Sequence, residues 1–313
     1  MSLKNTINNI VLIVLIVFIS CTNNEKEKKD LQAVIKETKK EGECPEYLLK
    51  NKKNNLNISI LLDLSDRIDE KKYPNTSMEY FQRDLGYINS ISNSFLEHIQ
   101  NKKLVLINDD MQIYFEPAPA NITINQKSKE LKVSFTKNLT KELIENTKKK
   151  YTTIPKEIYT LAKENGKYLG SDTWRFFKDK AKRYCIKECN RNILVILTDG
   201  YMFHTDTKLK EKNLTSFITP RTLRNFGLNN SRWEETFEKK GFGFIPASKK
   251  LNNLEVLVIG LVNHDKKRNP YSQDVVKKYW SKWLENMGIK KYEIYGAELP
   301  SNMDNTIRNF ILN

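Results

Sequence analysis

The apolar residues of this chain fall into short, nearly unbroken runs separated by longer amphipathic stretches. Three runs are apolar at almost every position: ISILL at 58–62, NILVIL at 192–197 and LEVLVIGLV at 254–262. A shorter run, KYEIYG, follows at 291–296. Runs of this length without alternation are typical of strands buried on both faces of a parallel sheet. The pattern therefore predicts a parallel sheet at the centre of the molecule.

The stretches between these runs have helical spacing. Residues 77–100 place apolar side chains every three or four positions, and these are Met78, Phe81, Leu85, Ile88, Ile91, Phe95 and Ile99. Further helices are predicted over 138–165, with an interruption near Pro155, and within 170–189, 274–288 and 302–312. Residues 103–107 and 111–117 flank Asn108-Asp109-Asp110, which predicts a hairpin. This alternation indicates an α/β fold with a mostly parallel central sheet, one antiparallel edge strand from the hairpin, and helices on both faces.

The first twenty residues have the pattern of a lipoprotein signal peptide. Lys4 precedes an apolar run at 10–19, and Ser20-Cys21 follows, which resembles the lipobox of bacterial lipoproteins with Cys21 as the lipidated residue. The alternative is an uncleaved N-terminal anchor. Residues 21–55 are polar and carry both signs of charge, so they are predicted to be a flexible tether. Either way, residues 56–313 are expected in the bacterial cell envelope, held at a membrane.

Charge says little about that location, and the cysteine content fits it only loosely, since three cysteines remain besides Cys21. The chain carries 53 Lys and Arg against 38 Asp and Glu, a formal net charge of +15. Because the excess is spread along an exported chain, nucleic acid is not a predicted partner, whereas anionic head groups can attract it nonspecifically. Cys185 and Cys189 lie four positions apart on a predicted helix, and either can pair with Cys44 in an oxidising compartment.

Polar side chains follow two of the predicted strands. Asp63 ends the first strand, with Ser65 two positions further on, and Asp199 ends the second. Between them, the segment 170–173 (GSDT) begins the helix that precedes the second strand. The carboxyl ends of parallel strands lie at one edge of a sheet, and a helix that returns to the next strand begins at that edge. We therefore predict a ligand site there, at the edge called the rim below.

From about Leu56 to the C-terminus, the order of elements and these residues resemble a von Willebrand factor A (vWA) domain. That family has a Rossmann-like sheet and a metal-ion-dependent adhesion site. The site is built from an Asp-x-Ser-x-Ser loop, a threonine in a Gly-x-Thr loop, and an aspartate that ends the fourth strand. The resemblance implies a metal set of Asp63, Ser65, Thr173 and Asp199. Such oxygen ligands suit Mg²⁺ or Mn²⁺, with one coordination position left for an acidic group on a partner.

The adhesion motif is degenerate, because Arg67 stands where the family has its second serine. A guanidinium at that position can lie across Asp63 and Asp199 and replace the cation, or point outward to an anionic ligand. Asp66, Arg67 and Asp172 are accordingly predicted to contact the ligand.

A long segment, residues 201–253, separates Asp199 from the next strand and is far longer than an ordinary connection. It is rich in aromatic and basic residues. We expect this insertion to fold over the rim, with most of its aromatic side chains packed against the body of the domain.

These observations favour a membrane-tethered module of the binding or adhesion type that recognises a protein or an acidic ligand at the rim. Two alternatives stay open. One is a metal-dependent phosphatase or hydrolase that holds one or two ions with Asp63, Asp199, His204 and Asp206. The other is a scaffold without metal whose site has decayed. The sequence contains no Gly-x-Ser-x-Gly, P-loop or His-Glu-x-x-His motif, which favours binding over catalysis.

Overall fold

The computed structural model describes residue 44 and residues 54–313. The predicted signal peptide, Cys21 and most of the predicted tether lie outside these residues. The described strands are β1 Asn55–Leu62, β2 Asp109–Phe115, β3 Val133–Phe135, β4 Asn190–Leu197, β5 Lys210–Glu211, β6 Leu214–Thr215, β7 Gly243–Phe244, β8 Leu254–Leu261 and β9 Tyr292–Gly296.

Six of these strands form the central sheet, in the order β3-β2-β1-β4-β8-β9. Every neighbouring pair is parallel except β2 and β3, which are antiparallel. The predicted α/β class, with a mostly parallel sheet and one antiparallel edge strand, is therefore confirmed. The strand order is that of a doubly wound fold.

Helices cover both faces of the sheet. In chain order they are α1 Tyr80–Gln100, α2 Ile122–Glu130, α3 Lys141–Asn165, α4 (the consecutive segments Thr173–Arg175, Phe176–Lys180 and Ala181–Tyr184), α5 Pro220–Asn225, α6 Trp233–Lys240, α7 Ser272–Asn286 and α8 Pro300–Leu312. Helices α1, α2, α3 and α8 pack on one face, where side chains such as Phe95 and Ile307 are buried. Helices α4 and α7 pack on the other face with the insertion, around Phe177 and Trp283.

The predicted hairpin at 103–117 is wrong. Leu104–Leu106 is a short 3₁₀ turn with Val105 79% exposed, and the chain enters β2 directly at Asp109. The buried Asp109 carboxylate accepts hydrogen bonds from Leu56 N (2.6 Å) and Lys102 Nζ (2.7 Å), so this charge is compensated where β2 begins beside β1. Strand β3 supplies the antiparallel edge instead.

The predicted interruption of the third helix is also wrong, because α3 continues through Pro155. Proline in a helix interior costs roughly 3 kcal/mol. Tyr151 lies before the proline and Ile158 and Tyr159 lie after it, and all three are buried in the core. Burial on both sides of Pro155 keeps the two halves of the helix aligned.

The insertion at 201–253 has a small sheet of its own, in the order β5-β6-β7, together with α5 and α6. Four of its aromatic side chains are buried against the body of the domain, as expected: Tyr201, Phe237, Phe242 and Phe244. Phe226 and Trp233 are half-buried and pack against the same core. Phe203 is an exception at 38% exposed.

The sequence leaves Cys185 and Cys189 as candidate partners of Cys44. In the structure, Cys189 and Cys44 are disulfide-bonded. Cys185 is a buried free thiol, and burial raises its pKa to about 12, so the reactive thiolate is disfavoured. No helix in the described part of the chain has the length and apolar character needed to cross a membrane.

Candidate functional site

The two aspartates predicted to meet at the rim do so. Strands β1 and β4 are parallel neighbours with Leu62 opposite Leu197, and Asp63 N donates a 3.0 Å hydrogen bond to Leu197 O. The strands that follow them lie on opposite sides, β2 beyond β1 and β8 beyond β4. Asp63 and Asp199 thus come directly after the two strands at which the winding of the sheet reverses. Doubly wound folds open a ligand crevice at this switch point.

Asp63 is buried and held by hydrogen bonds from its own chain. Its Oδ1 accepts from Ser65 N at 2.9 Å, and its Oδ2 accepts from Thr198 Oγ1 at 2.7 Å. Burial raises the pKa of the Asp63 carboxyl, Arg67 opposes that increase, and repulsion from Asp199 adds to it. Both carboxylate oxygens of Asp63 therefore already accept hydrogen bonds from residues of the rim.

Arg67 points into the protein, with 2% of its surface exposed. Its Nε donates to Asp63 O at 3.0 Å and lies 3.9 Å from Asp63 Oδ2. Its Nη2 contacts the buried Asp84 carboxylate, which also accepts from Tyr159 Oη at 2.7 Å. Burial acts to lower the pKa of Arg67, but Asp84 and Asp63 outweigh it and raise that pKa, so the guanidinium stays charged. Arg67 therefore points inward, as in the first of its two predicted alternatives, but its second carboxylate is Asp84 and not Asp199. The outward contact with a ligand is not what the structure shows.

Asp199 has a partner that the sequence did not reveal. His264 Nε2 lies 2.9 Å from Asp199 Oδ2, while Asp199 Oδ1 accepts from Tyr201 N at 3.0 Å. The His264 ring packs on Tyr73, with 4.1 Å between ring centroids. His264 follows the end of β8, so its position after a third apolar strand was the one signal that pointed to the rim.

Asp172 and Thr173 lie at the start of α4, and both are buried. Asp172 caps the helix by accepting from Arg175 N at 3.0 Å, and its Oδ2 accepts from Thr207 Oγ1 at 2.7 Å. His204 Nδ1 lies 3.7 Å from the same Asp172 oxygen. Asp172 thus joins the helix start to the insertion, and it is occupied by structural contacts rather than open to a ligand.

The insertion forms one wall of the site. Met202 pairs with Ile218 and Phe203 pairs with Ser171 in two isolated antiparallel bridges. Gly170 allows the close contact between Ser171 and Phe203, because its φ is +85° and a Cβ there would lie 2.3 Å from Phe203 O.

These contacts enclose a cleft of about 410 Å³ at the rim. This rim cleft is lined by Ser65, Asp66, Tyr73, Tyr168, Leu169, Gly170, Ser171, Asp199, Tyr201, Met202, Phe203, Thr205, Ile218, Thr219, Pro220 and His264. Of the seven residues predicted for the site, Ser65, Asp66 and Asp199 line the rim cleft. Asp63, Arg67, Asp172 and Thr173 are buried in the structure that supports it.

The arrangement does not fit a divalent ion bound directly by the predicted ligands. The oxygen set has the chemistry that Mg²⁺ or Mn²⁺ prefers. However, all four carboxylate oxygens of Asp63 and Asp199 already contact donors within the chain, and the charged Arg67 would repel a cation beside Asp63. Within residue 44 and residues 54–313, no three His, Cys, Asp or Glu side chains come together in a group that could hold a metal. An Mg²⁺ or Mn²⁺ ion at the rim stays a prediction of the sequence alone.

No family model matches the chain, and no curated protein matches it. Two crystal structures of the pilus adhesin SpaC from Lactobacillus rhamnosus GG, one in an open conformation, show a partial likeness. Both are 11% identical over 82% of this chain, with TM-scores of 0.40 and 0.36. The match spans 30% of SpaC. A likeness of this extent does not indicate a shared ligand or partner.

Proposed function

We propose that this protein is a vWA-like binding module of the bacterial cell envelope, and that it recognises a protein partner at the rim cleft. One observation carries the proposal: the cleft opens directly beyond β1 and β4, at the switch point of the sheet. Doubly wound folds bind their ligands at this position, and a volume of a few hundred Å³ is within the range of ligand-binding clefts.

Binding is favoured over hydrolysis by the way the polar groups are used. Hydrolysis needs a nucleophile or a metal-bound water with a base in hydrogen-bonding reach. Here the four residues of the hydrolase alternative divide into two groups. Asp63 and Asp199 are engaged at the strand ends, whereas His204 lies beside Asp172 and Asp206. The apolar and aromatic share of the lining suits contact with a ligand surface.

The proposed location follows from the N-terminal sequence. Lipidation at Cys21 would anchor the chain in a membrane, and the polar residues after it would let the domain reach a partner at the envelope surface. Globomycin, which inhibits the lipoprotein signal peptidase, should then lead to accumulation of the unprocessed chain.

A photo-crosslinking experiment tests recognition at the cleft. We propose to replace Phe203, a partly exposed lining residue, with p-benzoylphenylalanine in the cells that produce the protein. Val105 is the matched control, because it is more exposed and lies before β2, at the opposite edge of the sheet. A discrete crosslinked protein at position 203 and none at position 105 would support the proposal. Equal or absent crosslinking at both positions would contradict it.

A further inference from the structure

We infer that the rim cleft selects a positively charged group, namely the ammonium of a lysine side chain on the protein partner. This inference rests on the proposed function, which makes the rim cleft the recognition site. It departs from the acidic ligand that the resemblance implied, and the charges of the lining residues are the reason.

The charged side chains that line the rim cleft differ in sign from the net charge of the whole chain. The whole chain has a formal charge of +15. The lining includes two carboxylates, Asp66 and Asp199, and no lysine or arginine is found among the described residues that form it. A concave site with one sign of charge focuses its field on the opposite charge. An acidic group entering the cleft would face both carboxylates, and none of the described lining residues is a lysine or arginine that could receive it.

Three tyrosines share the lining of the cleft with these carboxylates. Burial raises the pKa of Tyr73, Tyr168 and Tyr201, and in each case a nearby carboxylate raises it further. Asp66 acts on Tyr73 and Tyr168, and Asp199 acts on Tyr73 and Tyr201. Ring faces together with carboxylates are the chemistry that holds an ammonium group, through cation–π attraction and charge-assisted hydrogen bonds.

The chain already places one of its own ammonium groups at the margin of the rim cleft. Lys72 Nζ contacts the Asp66 carboxylate and lies 5.3 Å from the centroid of the Tyr73 ring. Its side chain is 51% exposed, so the contact is easily exchanged for one with a partner. Lys72 therefore shows the geometry that a partner lysine would adopt, and it competes with that lysine for Asp66.

The other nearby cation does not cancel this field. Arg67 is committed to Asp84 and Asp63, neither of which lines the cleft. His264 contacts one oxygen of Asp199, and its ring packs on Tyr73. Asp66 is held in an exposed ion pair, and each oxygen of the Asp199 carboxylate has a further lone pair beyond the one used within the chain, so both carboxylates can still accept a hydrogen bond from an outside ammonium group.

Calorimetric titration of the full chain with two short peptides, acetyl-Gly-Lys-Gly-amide and acetyl-Gly-Glu-Gly-amide, tests the inference. We expect heat of binding from the lysine peptide only. Asp66→Asn should weaken it about two- to fivefold, as for an exposed ion pair. Asp199→Asn should weaken it roughly tenfold or more, because Asp199 is buried. Lys72→Ala should tighten it by removing the internal competitor.

Glu145→Gln is the control for loss of one negative charge, since this exposed residue in the first turns of α3 lies far along the chain from the lining, and it should have no effect.

The outcomes separate this inference from the proposed function. If the glutamate peptide binds, and only with Mg²⁺ or Mn²⁺ present, the inference is overturned while recognition at the cleft stands. If neither peptide binds although position 203 still crosslinks to a partner, the lysine assignment fails and the proposed function survives. Lysine-peptide binding that Lys72→Ala weakens, or that Asp66→Asn leaves unchanged, would also overturn the inference. Circular dichroism of each variant establishes that it is folded.

Discussion

Thr198 joins the two strand ends of the rim, because its Oγ1 donates a 2.7 Å hydrogen bond to Oδ2 of Asp63, a residue 135 positions earlier in the chain. The same oxygen accepts from Gly200 N at 3.1 Å. One buried hydroxyl therefore holds the loop after β1 against the turn after β4, and the geometry of the rim depends on it.

Replacing that hydroxyl should loosen the rim. Thr198→Val keeps the shape but leaves Asp63 Oδ2 and Gly200 N without this partner, which should lower the free energy of unfolding by about 1–3 kcal/mol. Urea denaturation measures the change. Thr160→Val removes an exposed hydroxyl that bonds within α3, and it should change stability by no more than about 0.5 kcal/mol. Equal effects of the two substitutions would show that the Thr198 contact is not structural.

Gly200 turns the chain in a position that tolerates no side chain. Its φ is +91°, and a Cβ would lie 2.6 Å from Val276 Cγ1. Gly200→Ala should therefore combine backbone strain with overpacking and cost about 3 kcal/mol or more. Gly227→Ala is the matched control, because φ is +72° there but nothing lies within 4 Å of the added carbon. It should cost only about 1 kcal/mol. The thermal midpoint of Gly227→Ala measures backbone strain alone, and that of Gly200→Ala measures strain together with the contact to Val276. Similar midpoints for the two variants would contradict the predicted clash.

Removing the buried guanidinium should leave two carboxylates without compensation. We expect Arg67→Met to lower stability by about 3–5 kcal/mol, because Asp84 and Asp63 lose a buried partner. Arg308→Met removes an exposed partner of Glu97 and should have a much smaller effect. Adding Asp84→Asn to the Arg67 variant should recover part of the loss, as measured by denaturation. No recovery would mean that the cost of Arg67→Met comes from packing instead of charge.

The raised pKa of Asp63 predicts a definite dependence on pH. A carboxyl whose pKa is higher in the folded than in the unfolded state binds more protons when folded, so its favourable contribution is complete below the unfolded value of about 3.9. That contribution is lost as pH rises through the folded value. Asp63→Asn cannot titrate, so the stability of wild type relative to this variant should fall as pH rises from about 4 through the raised folded pKa of Asp63. Urea denaturation across that range checks the sign, and a relative stability that rises with pH would contradict it.

Metal addition tests the prediction that came from the vWA resemblance. Because Arg67 and the engaged carboxylates oppose an ion, we expect millimolar Mg²⁺ or Mn²⁺ to leave the thermal midpoint of the full chain unchanged. A rise in midpoint that Asp199→Ala abolishes would instead establish the metal site and favour an acidic partner.

Much of the fold was predictable because a strand that is buried on both faces appears in the sequence as an unbroken apolar run. Strands β1, β4 and β8 each appear as an apolar run, and parallel strands necessarily end at one edge, which placed Asp63 and Asp199 together. The pairing of β2 was not predictable in this way. Where β2 begins, Asp109 accepts hydrogen bonds from Lys102 Nζ and Leu56 N, contacts that the local sequence does not show, and the pattern around residues 103–117 fits a hairpin equally well.

The sequence by itself determined where the strands β1, β4, β8 and β9 and the long helices between them lie along the chain, because buried strands appear as apolar runs and helices as a helical spacing. It also determined the edge at which polar residues gather, because parallel strands end at one edge. Only the tertiary structure decided which of those residues line the rim cleft. It turned Arg67 inward because Asp84, on another helix, offered a buried countercharge. It brought His264 and Tyr73 to Asp199 from distant parts of the chain. These contacts depend on which charged side chains come together in three dimensions, and the local sequence pattern does not show that.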